Sequence, residues 1–396
     1  MFSALSHRNF RLFFFGQFVS LIGSWMQNTA QAWLVYRLTK DPLMLGLAVF
    51  VGQFPVFVLG FYAGFAVDHA DHLRLVKRTQ FLAMAQAVLL ALLTWGGNIH
   101  VWQVFVLSIG LGVVNAFDMP ARQVLIGELV PVDHRHNAIA LNSTVVNASR
   151  VLGPAFAGLA IAYAGEAGCF AINALSYVAV LFALRAMRGV RQPPPPEPRG
   201  GPWQEIGDGM AYAFVNEPIR LVLLALSVFS LAALPVYTLL PVFAEGVLRS
   251  GAKGLGLLSS FSGVGATIGA LALARRRGAA GVGAEIVSGA AGMALALGGM
   301  AWSRWFWPSC FFMTLAGWCA IRVLAGANTA LQELSDDHHR GRVMSFYSMI
   351  FIGLSPLGSF LAGGLASRFG VAWTTAGMAA GMAVLAAGYG RRIRRI

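Results

Sequence analysis

Three polar residues share one face of an apolar segment that runs from about residue 101 to residue 126. Asn115, Asp118 and Arg122 are spaced i, i+3 and i+7, so a helix projects an amide, a carboxylate and a guanidinium from one side. Asp118 would lie about 12 to 15 Å from the end of this apolar segment. A carboxylate that far inside an apolar segment needs a partner or takes up a proton. We therefore expect Asp118 to take up and release a proton; the alternative is a helix-stabilising ion pair with Arg122.

Two arginines, Arg150 and Arg322, fall near the middle of their apolar segments. Asp118 is the only acidic residue that the sequence places at comparable depth, so at least one of these arginines should lack a carboxylate partner. A guanidinium at mid-membrane faces the bundle interior and pairs with an acid, with backbone carbonyls or with an anionic ligand. We expect both to contact an anionic or strongly hydrogen-bonding substrate. Bonding to carbonyls or waters between helices is the alternative.

Further polar residues follow one face of the first apolar segment. They are Gln17, Ser20, Ser24, Gln27, Asn28 and Gln31. Such residues either bond neighbouring helices or line a water-filled cavity. Six polar positions over nearly four turns favour the cavity. In the seventh segment Pro235 and Pro241 predict a broken helix with free carbonyls. The expected substrate contacts are therefore Arg150, Arg322, Gln27, Asn28, Gln31, Asn115 and Tyr237.

The composition places these residues in a membrane. The 396 residues are 57% hydrophobic and 11% charged, whereas soluble domains carry about 25% charged residues. Most of the apolar segments reach the roughly 20 residues that a spanning helix needs. They begin near residues 10, 44, 75, 101, 137, 167, 218, 254, 281, 306, 342 and 372. The predicted fold is an all-α membrane protein with twelve transmembrane helices in two pseudo-symmetric six-helix bundles.

A proline-rich stretch divides the chain. Residues 191–202 read RQPPPPEPRGGP, which excludes a helix and favours an extended linker. Trp203, Ile206, Met210 and Phe214 follow at helical spacing and predict an amphipathic helix at the membrane surface. The predicted domains are a six-helix bundle at 1–190, the linker and amphipathic helix at 191–217, and a second bundle with a basic tail at 218–396.

An internal repeat supports the two-bundle fold. The segment from Glu128 to Gly158 returns from Glu333 to Gly363 without a gap, 205 residues later. Nine positions coincide, and each copy crosses from a charged loop into an apolar helix. Repeats of this kind are typical of transporters whose halves rock about a central site. Arg150 and Pro154 in the first copy correspond to Ser355 and Ser359 in the second, so the copies have diverged in chemistry.

The net charge of +13 reports membrane topology. Most lysines and arginines flank loops of one parity, which the positive-inside rule places in the cytoplasm together with both termini. This pattern argues for contact with anionic lipid and against nucleic acid. The first apolar run is too long for a cleavable signal peptide and lacks a cleavage site. We expect a multi-pass protein of the bacterial inner (plasma) membrane.

Motifs for enzymatic chemistry are absent from the sequence. Cys169, Cys310 and Cys319 have no spacing that suggests a disulfide or a zinc site. No P-loop, HExxH motif or nucleophile elbow occurs. We therefore expect no enzyme activity, metal or cofactor, and transport driven by an ion gradient or by the gradient of the substrate.

Several motifs resemble those of the major facilitator superfamily, and the resemblance covers essentially the whole chain. The segment from Gly64 through Asp68 to Arg74 is similar to that family's G-x-x-x-D-R-x-G-R-R/K loop, although His69, Asp71, His72 and Leu73 depart from it. The resemblance implies a cytoplasmic latch, in which Asp68 bonds a helix N-terminus of the other half or pairs with Arg122. The second-half loop is reduced to Arg275, Arg276, Arg277 and Gly278.

A second motif resembles one found in the exporters of this superfamily. Gly153, Pro154 and Gly158 are similar to G-P-x-x-G-G, with Ala157 in place of one glycine, and Gly358 and Gly363 are their repeat equivalents. Small residues allow close helix packing while proline bends the span, so these residues are expected to form a pivot. The segments Asn9–Phe13, Pro120–Gln123 and His339–Ser345 are similar to the branch of enterobactin, siderophore and drug exporters.

The expected function is proton-coupled export of small amphipathic molecules by a monomer through alternating access. A lysophospholipid flippase is the alternative within transport. A non-transporting receptor or scaffold is the alternative outside it, although such proteins usually carry long soluble segments that this chain lacks.

Overall fold

The computed structural model describes residues 2–190, 212–213, 215–274, 281–336 and 339–393. Outside these residues lie the linker 191–202, the basic loop Arg275–Gly278, and the four residues that predict the amphipathic helix, Trp203, Ile206, Met210 and Phe214. In the first half the helices are α1 (Arg8–Thr39), α2 (Pro42–Asp68), α3 (His72–Trp95), α4 (Val101–Glu128), α5 (135–164) and α6 (166–186). In the second half they are α7 (Glu217–Val247), α8 (Gly251–Ala274), α9 (Val282–Trp302), α10 (Phe306–Leu334), α11 (Arg340–Phe369) and α12 (Val371–Val384, continued to Tyr389).

Most of these helices are long and apolar enough to cross a bilayer. Ten stretches of the described residues meet that standard, and one of them, Val132–Ala186, holds both α5 and α6. α1 is missing from the ten because its amides and hydroxyls lower its hydropathy, although its 32 residues are long enough to span. The predicted all-α membrane fold of twelve helices is confirmed.

The internal repeat is also present in the backbone conformation at the end of the fifth helix of each half. α5 ends and α6 begins at Gly165, which has a φ of 67°, and α11 ends at Gly370, which has a φ of 85° and lies 205 residues later. Glycine adopts this left-handed region without the steric cost that a Cβ imposes. The two copies therefore turn from their fifth into their sixth helix through equivalent glycines.

The loop that opens the repeat makes equivalent contacts in both halves. His134 Nδ1 lies 2.7 Å from Nε2 of His7, just before α1. The equivalent His339 stacks on Tyr212, just before α7, with ring centroids 4.2 Å apart. His7 and Tyr212 are themselves 205 residues apart. Each copy thus ties the start of its fifth helix to the segment that precedes its first.

The chain forms two compact units that exchange the beginnings of two helices. Asp41–Phe50, the start of α2, belongs to the second unit, and Ser250–Ser260, the start of α8, belongs to the first. Apart from these segments, α1 to α6 make up the first unit and α7 to α12 the second. The domain boundaries at 190 and 218 stay a prediction, since residues 191–211 are not among those described.

Candidate functional site

Asp118 is held between α3 and α4. Its Oδ1 accepts hydrogen bonds from Thr79 Oγ1 at 2.6 Å and from Gln80 Nε2 at 3.0 Å. Its Oδ2 lies 2.6 Å from Nε of Arg122, whose N–H is not aligned with it, so this contact is an ion pair rather than a directed hydrogen bond. Only 2% of Asp118 is exposed. These partners supply the compensation that a buried carboxylate requires.

The polar stripe of α1 mostly joins helices within the first unit. Gln27 is 2% exposed; its Nε2 donates to Gln86 Oε1 of α3 at 2.9 Å, and its Oε1 accepts from Asn173 Nδ2 of α6 at 2.8 Å. Gln17 and Ser20 are also buried. The alternative, packing against neighbouring helices, describes Gln27 in this structure, whereas a water-filled cavity along the rest of this face stays a prediction.

The remaining polar candidates near α1 and α4 occupy different environments. Asn28 is exposed and Asn115 is partly buried. Gln31 donates from Nε2 to Ser108 Oγ of α4 at 2.8 Å. The structure thus leaves Asn28 as the most accessible of the predicted amides, while Gln27 and Gln31 serve helix packing. Their contacts with substrate stay predictions.

Arg322 of α10 has a carboxylate partner that the sequence interpretation missed. Its Nε donates to Oε2 of Glu285, which lies in the first turn of α9. Its Cζ also lies 4.6 Å from the centroid of the Trp318 ring one turn away. Glu285 is 6% exposed, so both charges leave water together. Arg322 is paired in this structure.

The repeat could have identified this partner. Glu285 follows Gln80 by 205 residues, and Arg322 lies one residue before the position that corresponds to Asp118. Both halves therefore connect their third and fourth helices through a buried polar contact, Gln80 to Asp118 and Arg322 to Glu285. In the second half the acid and its partner have changed helices.

Arg150 of α5 differs from the arginines that pair with acids. Its Cζ lies 5.3 Å from the centroid of the Trp25 ring on α1. Among the described residues it has no carboxylate or other hydrogen-bond partner, whereas Arg37 pairs with Glu166 at 2.7 Å. Arg150 is partly buried. Trp25 was missed by the sequence interpretation; its position one turn before Asn28 was the available signal.

Tyr237 lies beside the break in α7. The helix is interrupted at residues 233–235, as the prolines predicted, and resumes as Val236–Val242. The Tyr237 hydroxyl accepts a hydrogen bond from Ser262 Oγ at 3.0 Å, and the neighbouring Thr238 Oγ1 donates to Ser359 Oγ at 2.9 Å. The break therefore connects α7 to α8 and α11 inside the second unit.

The residues of the predicted latch have separate partners. Asp71 caps α3 by accepting from the backbone N–H of Arg74 at 2.8 Å, and its Oδ2 lies 3.0 Å from Arg74 Nε. Asp68 is exposed at the end of α2, and a Cβ on Gly64 would meet open space. The expected pair of Asp68 with Arg122 is corrected, because Arg122 pairs with Asp118. A latching role for Gly64, Asp68 and Arg74 stays a prediction.

The repeated glycines make equivalent close contacts. Gly153 packs α5 on α1, where a Cβ would lie 3.0 Å from the Ile22 carbonyl oxygen. Its counterpart Gly358 packs α11 on α7, where a Cβ would lie 2.7 Å from the Leu231 carbonyl oxygen. Such distances leave no room for a side chain, which is the packing that small residues permit.

The second glycine of each copy contacts an exchanged helix start. A Cβ on Gly158 would lie 3.2 Å from the Cα of Gly256 in α8, and a Cβ on Gly363 would lie 3.2 Å from the Cα of Gly46 in α2. The carbonyl oxygen of Pro154 faces Gly256, and that of Ser359, its repeat equivalent, faces Gly46. The predicted pivot residues therefore sit where each unit receives its exchanged segment.

Curated relatives cover nearly the whole chain. The Staphyloferrin A transporter of Staphylococcus aureus is 25% identical over 92% of this chain and 91% of its own. Macrolide efflux protein A of Streptococcus pyogenes is 24% identical over 92% of each. The enterobactin exporter of Shigella boydii is 23% identical over 91% of this chain and 86% of its own.

The fold is also that of solved transporters. The nucleoside transporter NupG superposes with a TM-score of 0.79 over 98% of this chain and 99% of its own, at 12% identity. A family model described as transmembrane secretion effector matches residues 1–395. The chain therefore belongs to this family of major facilitator superfamily transporters.

Proposed function

We propose that this protein is a proton-coupled exporter of small amphipathic molecules. It acts as a monomer in the bacterial inner membrane, with both termini in the cytoplasm, and moves its substrate by alternating access. Full-length similarity to siderophore and drug exporters supports the substrate class and direction. The asymmetric distribution of basic loop residues supports the topology.

The observation that carries the proposal is the buried acid Asp118. It is 2% exposed within a spanning helix, where its carboxylate contacts Thr79, Gln80 and Arg122. Helix movements that change these contacts link proton exchange at Asp118 to the change of access. Asp118 takes up a proton from the periplasm and releases it to the cytoplasm as substrate leaves.

The proposed substrate contacts differ in how accessible they are in this structure. Arg150 and Asn28 are the strongest of these, because Arg150 lacks a protein anion in the described structure and Asn28 is exposed. Asn115, Gln31 and Tyr237 contribute hydrogen bonds. Arg322 becomes available only when its pair with Glu285 opens, and Gln27 acts through helix packing.

Alternating access uses the glycine contacts of α5 and α11. Gly153, Pro154 and Gly158, with Gly358 and Gly363, let backbones slide and separate without side chains in the way. Gly64, Asp68, Arg74 and Arg122 latch the cytoplasmic side in one state. The pivot residues lie on α5 and α11, and the latch residues lie on α2, α3 and α4.

The decisive experiment compares Asp118→Asn with Glu166→Gln in proteoliposomes. Both substitutions remove a buried carboxylate that pairs with an arginine, but Glu166 lies at the start of α6, beside Arg37 at the end of α1. Asp118→Asn should abolish proton-driven efflux while substrate still binds, and Glu166→Gln should retain coupling. Wild-type coupling in a folded Asp118→Asn protein would overturn the assignment.

Substrate class is tested by an accumulation screen in a host that lacks its own exporters, across siderophores, dyes, drugs and lysolipids. Reduced accumulation of a siderophore, dye or drug supports the proposal. Movement of lysolipids alone would establish a flippase instead. No movement of any compound by the purified, folded protein would favour a receptor or scaffold.

A further inference from the structure

Arg150 lies at the centre of α5, and no acid among the described residues pairs with its charge. It is about 22 Å from either end of the helix at 1.5 Å per residue. Three other arginines of the helices have acids: Arg37 has Glu166, Arg122 has Asp118 and Arg322 has Glu285. Among the described residues, Arg150 has only the ring of Trp25. A guanidinium at this depth is stabilised by an anionic partner, which a ligand can supply.

The contact with Trp25 leaves the hydrogen-bonding capacity of Arg150 intact. A cation over an indole ring is attracted by its π-electrons, and this uses no N–H donor. Arg150 carries five such donors in a planar fork, and none of them has an acceptor in the described structure. Trp25 therefore stabilises the charge and holds its position while the donors remain free for a ligand.

The backbone fixes this arrangement. Gly153 lies three residues after Arg150, and a Cβ there would overlap the Cβ of Trp25. α5 thus approaches α1 closely only because residue 153 is glycine, and this approach keeps Trp25 beside Arg150. Asn28 lies one turn beyond Trp25 and is exposed, so it adds a neutral donor and acceptor nearby. The site is formed before a ligand arrives.

We propose that Trp25 and Arg150 form an oxyanion subsite that selects substrates bearing a carboxylate. The fork of an arginine matches the two oxygens of a carboxylate and binds them through two parallel hydrogen bonds. Arg150 is the ligand-binding residue, and Trp25 is a positioning residue that holds the fork. The inference rests on the proposed transport function and narrows its substrate to anionic amphipathic molecules.

The test measures equilibrium binding of a matched pair of fluorescent ligands, dansylglycine and its neutral amide dansylglycinamide, to the purified full-length protein. Charge-assisted bidentate bonds give an expected preference of roughly tenfold or more for the carboxylate. Arg150→Gln should remove that preference while leaving the amide affinity within about twofold of wild type. Equal affinity for the two ligands, or no saturable binding up to about 1 mM, would overturn the proposal.

Further variants separate positioning from folding. Arg150→Lys keeps the charge but loses the fork, so the preference should fall at least about fivefold. Trp25→Leu should lower the preference for the carboxylate, whereas Trp25→Phe should preserve most of it because an aromatic face remains. Arg78→Gln, an exposed arginine of α3, is the matched control and should change neither affinity. A preference that survives Arg150→Lys and Trp25→Leu contradicts the proposal even where Arg150→Gln does not fold.

The binding assay needs no ion gradient, so its outcome is independent of coupling. Loss of proton-driven efflux with an intact carboxylate preference would contradict the proton-coupling assignment alone. Robust efflux of neutral or cationic compounds without a carboxylate preference would contradict the oxyanion subsite alone.

Discussion

Gly158 of α5 and Gly256 of α8 bring their backbones into direct contact: a Cβ on Gly256 would lie 2.9 Å from the Cα of Gly158. The contact belongs to the first unit, which receives the start of α8 from the second half of the sequence. Gly363 and Gly46 form its counterpart in the second unit. The same close approach is thus built twice, with the equivalent glycines Gly158 and Gly363 on the side of the repeat.

Gly256→Ala should therefore impair both stability and transport. The added methyl group overlaps the backbone of α5, so we expect the free energy of unfolding to fall by about 1 to 3 kcal/mol. Gly110→Ala in α4 is the matched control, since a Cβ there meets no atom within 4 Å. Thermal unfolding and efflux in proteoliposomes measure the two effects. An equally stable and active Gly256→Ala protein would contradict the pivot.

The Gln27 network predicts a coupling between α1 and α6. Asn173→Ala leaves Gln27 Oε1 without its donor, and Gln27→Ala leaves Asn173 unbonded. A double-mutant cycle should give an interaction energy of about 1 kcal/mol, typical of hydrogen bonds between membrane helices. Binding of the dansyl ligands should stay unchanged. Altered ligand preference in Gln27→Ala, with normal stability, would instead place Gln27 in the substrate site.

The pair of Arg37 and Glu166 should respond asymmetrically to mutation. The Glu166 side chain is 9% exposed and that of Arg37 is 49% exposed, with 2.7 Å between Arg37 Nε and Glu166 Oε1. Arg37→Ala strands a buried carboxylate and should cost about 1 to 3 kcal/mol of stability. Glu166→Gln leaves an arginine that reaches water and should cost less. Chemical denaturation in detergent compares them, and equal losses would argue against the buried charge as the cause.

Arg135 and Arg340 should have matching effects. Arg135 Nε donates to the Gly127 carbonyl at the end of α4, and Arg340 Nε donates to the Gln332 carbonyl at the end of α10, both at 3.0 Å. A cation at a helix C-terminus contributes about 0.3 to 1 kcal/mol. Alanine at either position should lower the melting temperature by a similar amount, whereas Arg78→Ala should not. A loss confined to one copy would contradict the equivalence.

Much of the architecture was predictable because it depends on local rules. Apolar length predicted the helices, and the prolines of the seventh segment predicted its break at residues 233–235. The 205-residue offset predicted that Gly153 and Gly358, and likewise Gly158 and Gly363, would play equivalent parts, and the structure shows equivalent contacts for both pairs. Helix backbones approach this closely only where the residues between them are small. The spacing of glycines in the sequence therefore indicates where such contacts lie.

The partners of polar side chains depended on the tertiary structure. Spacing placed Gln27 and Asn28 together, yet a rotation of 100° between neighbours on a helix buries Gln27 against α3 and α6 and exposes Asn28. Glu285 lies near the start of its helix, so the sequence did not mark it as a deeply placed acid. Only the packing of α9 on α10 brings it to Arg322. The sequence by itself determined the membrane helices, their duplication and their glycine contacts. Among the described residues, Arg150 in the middle of its span has the ring of Trp25 beside it and no carboxylate. This environment, like the pairing of the other charges, was decided by helix rotation and by packing between segments far apart in the chain.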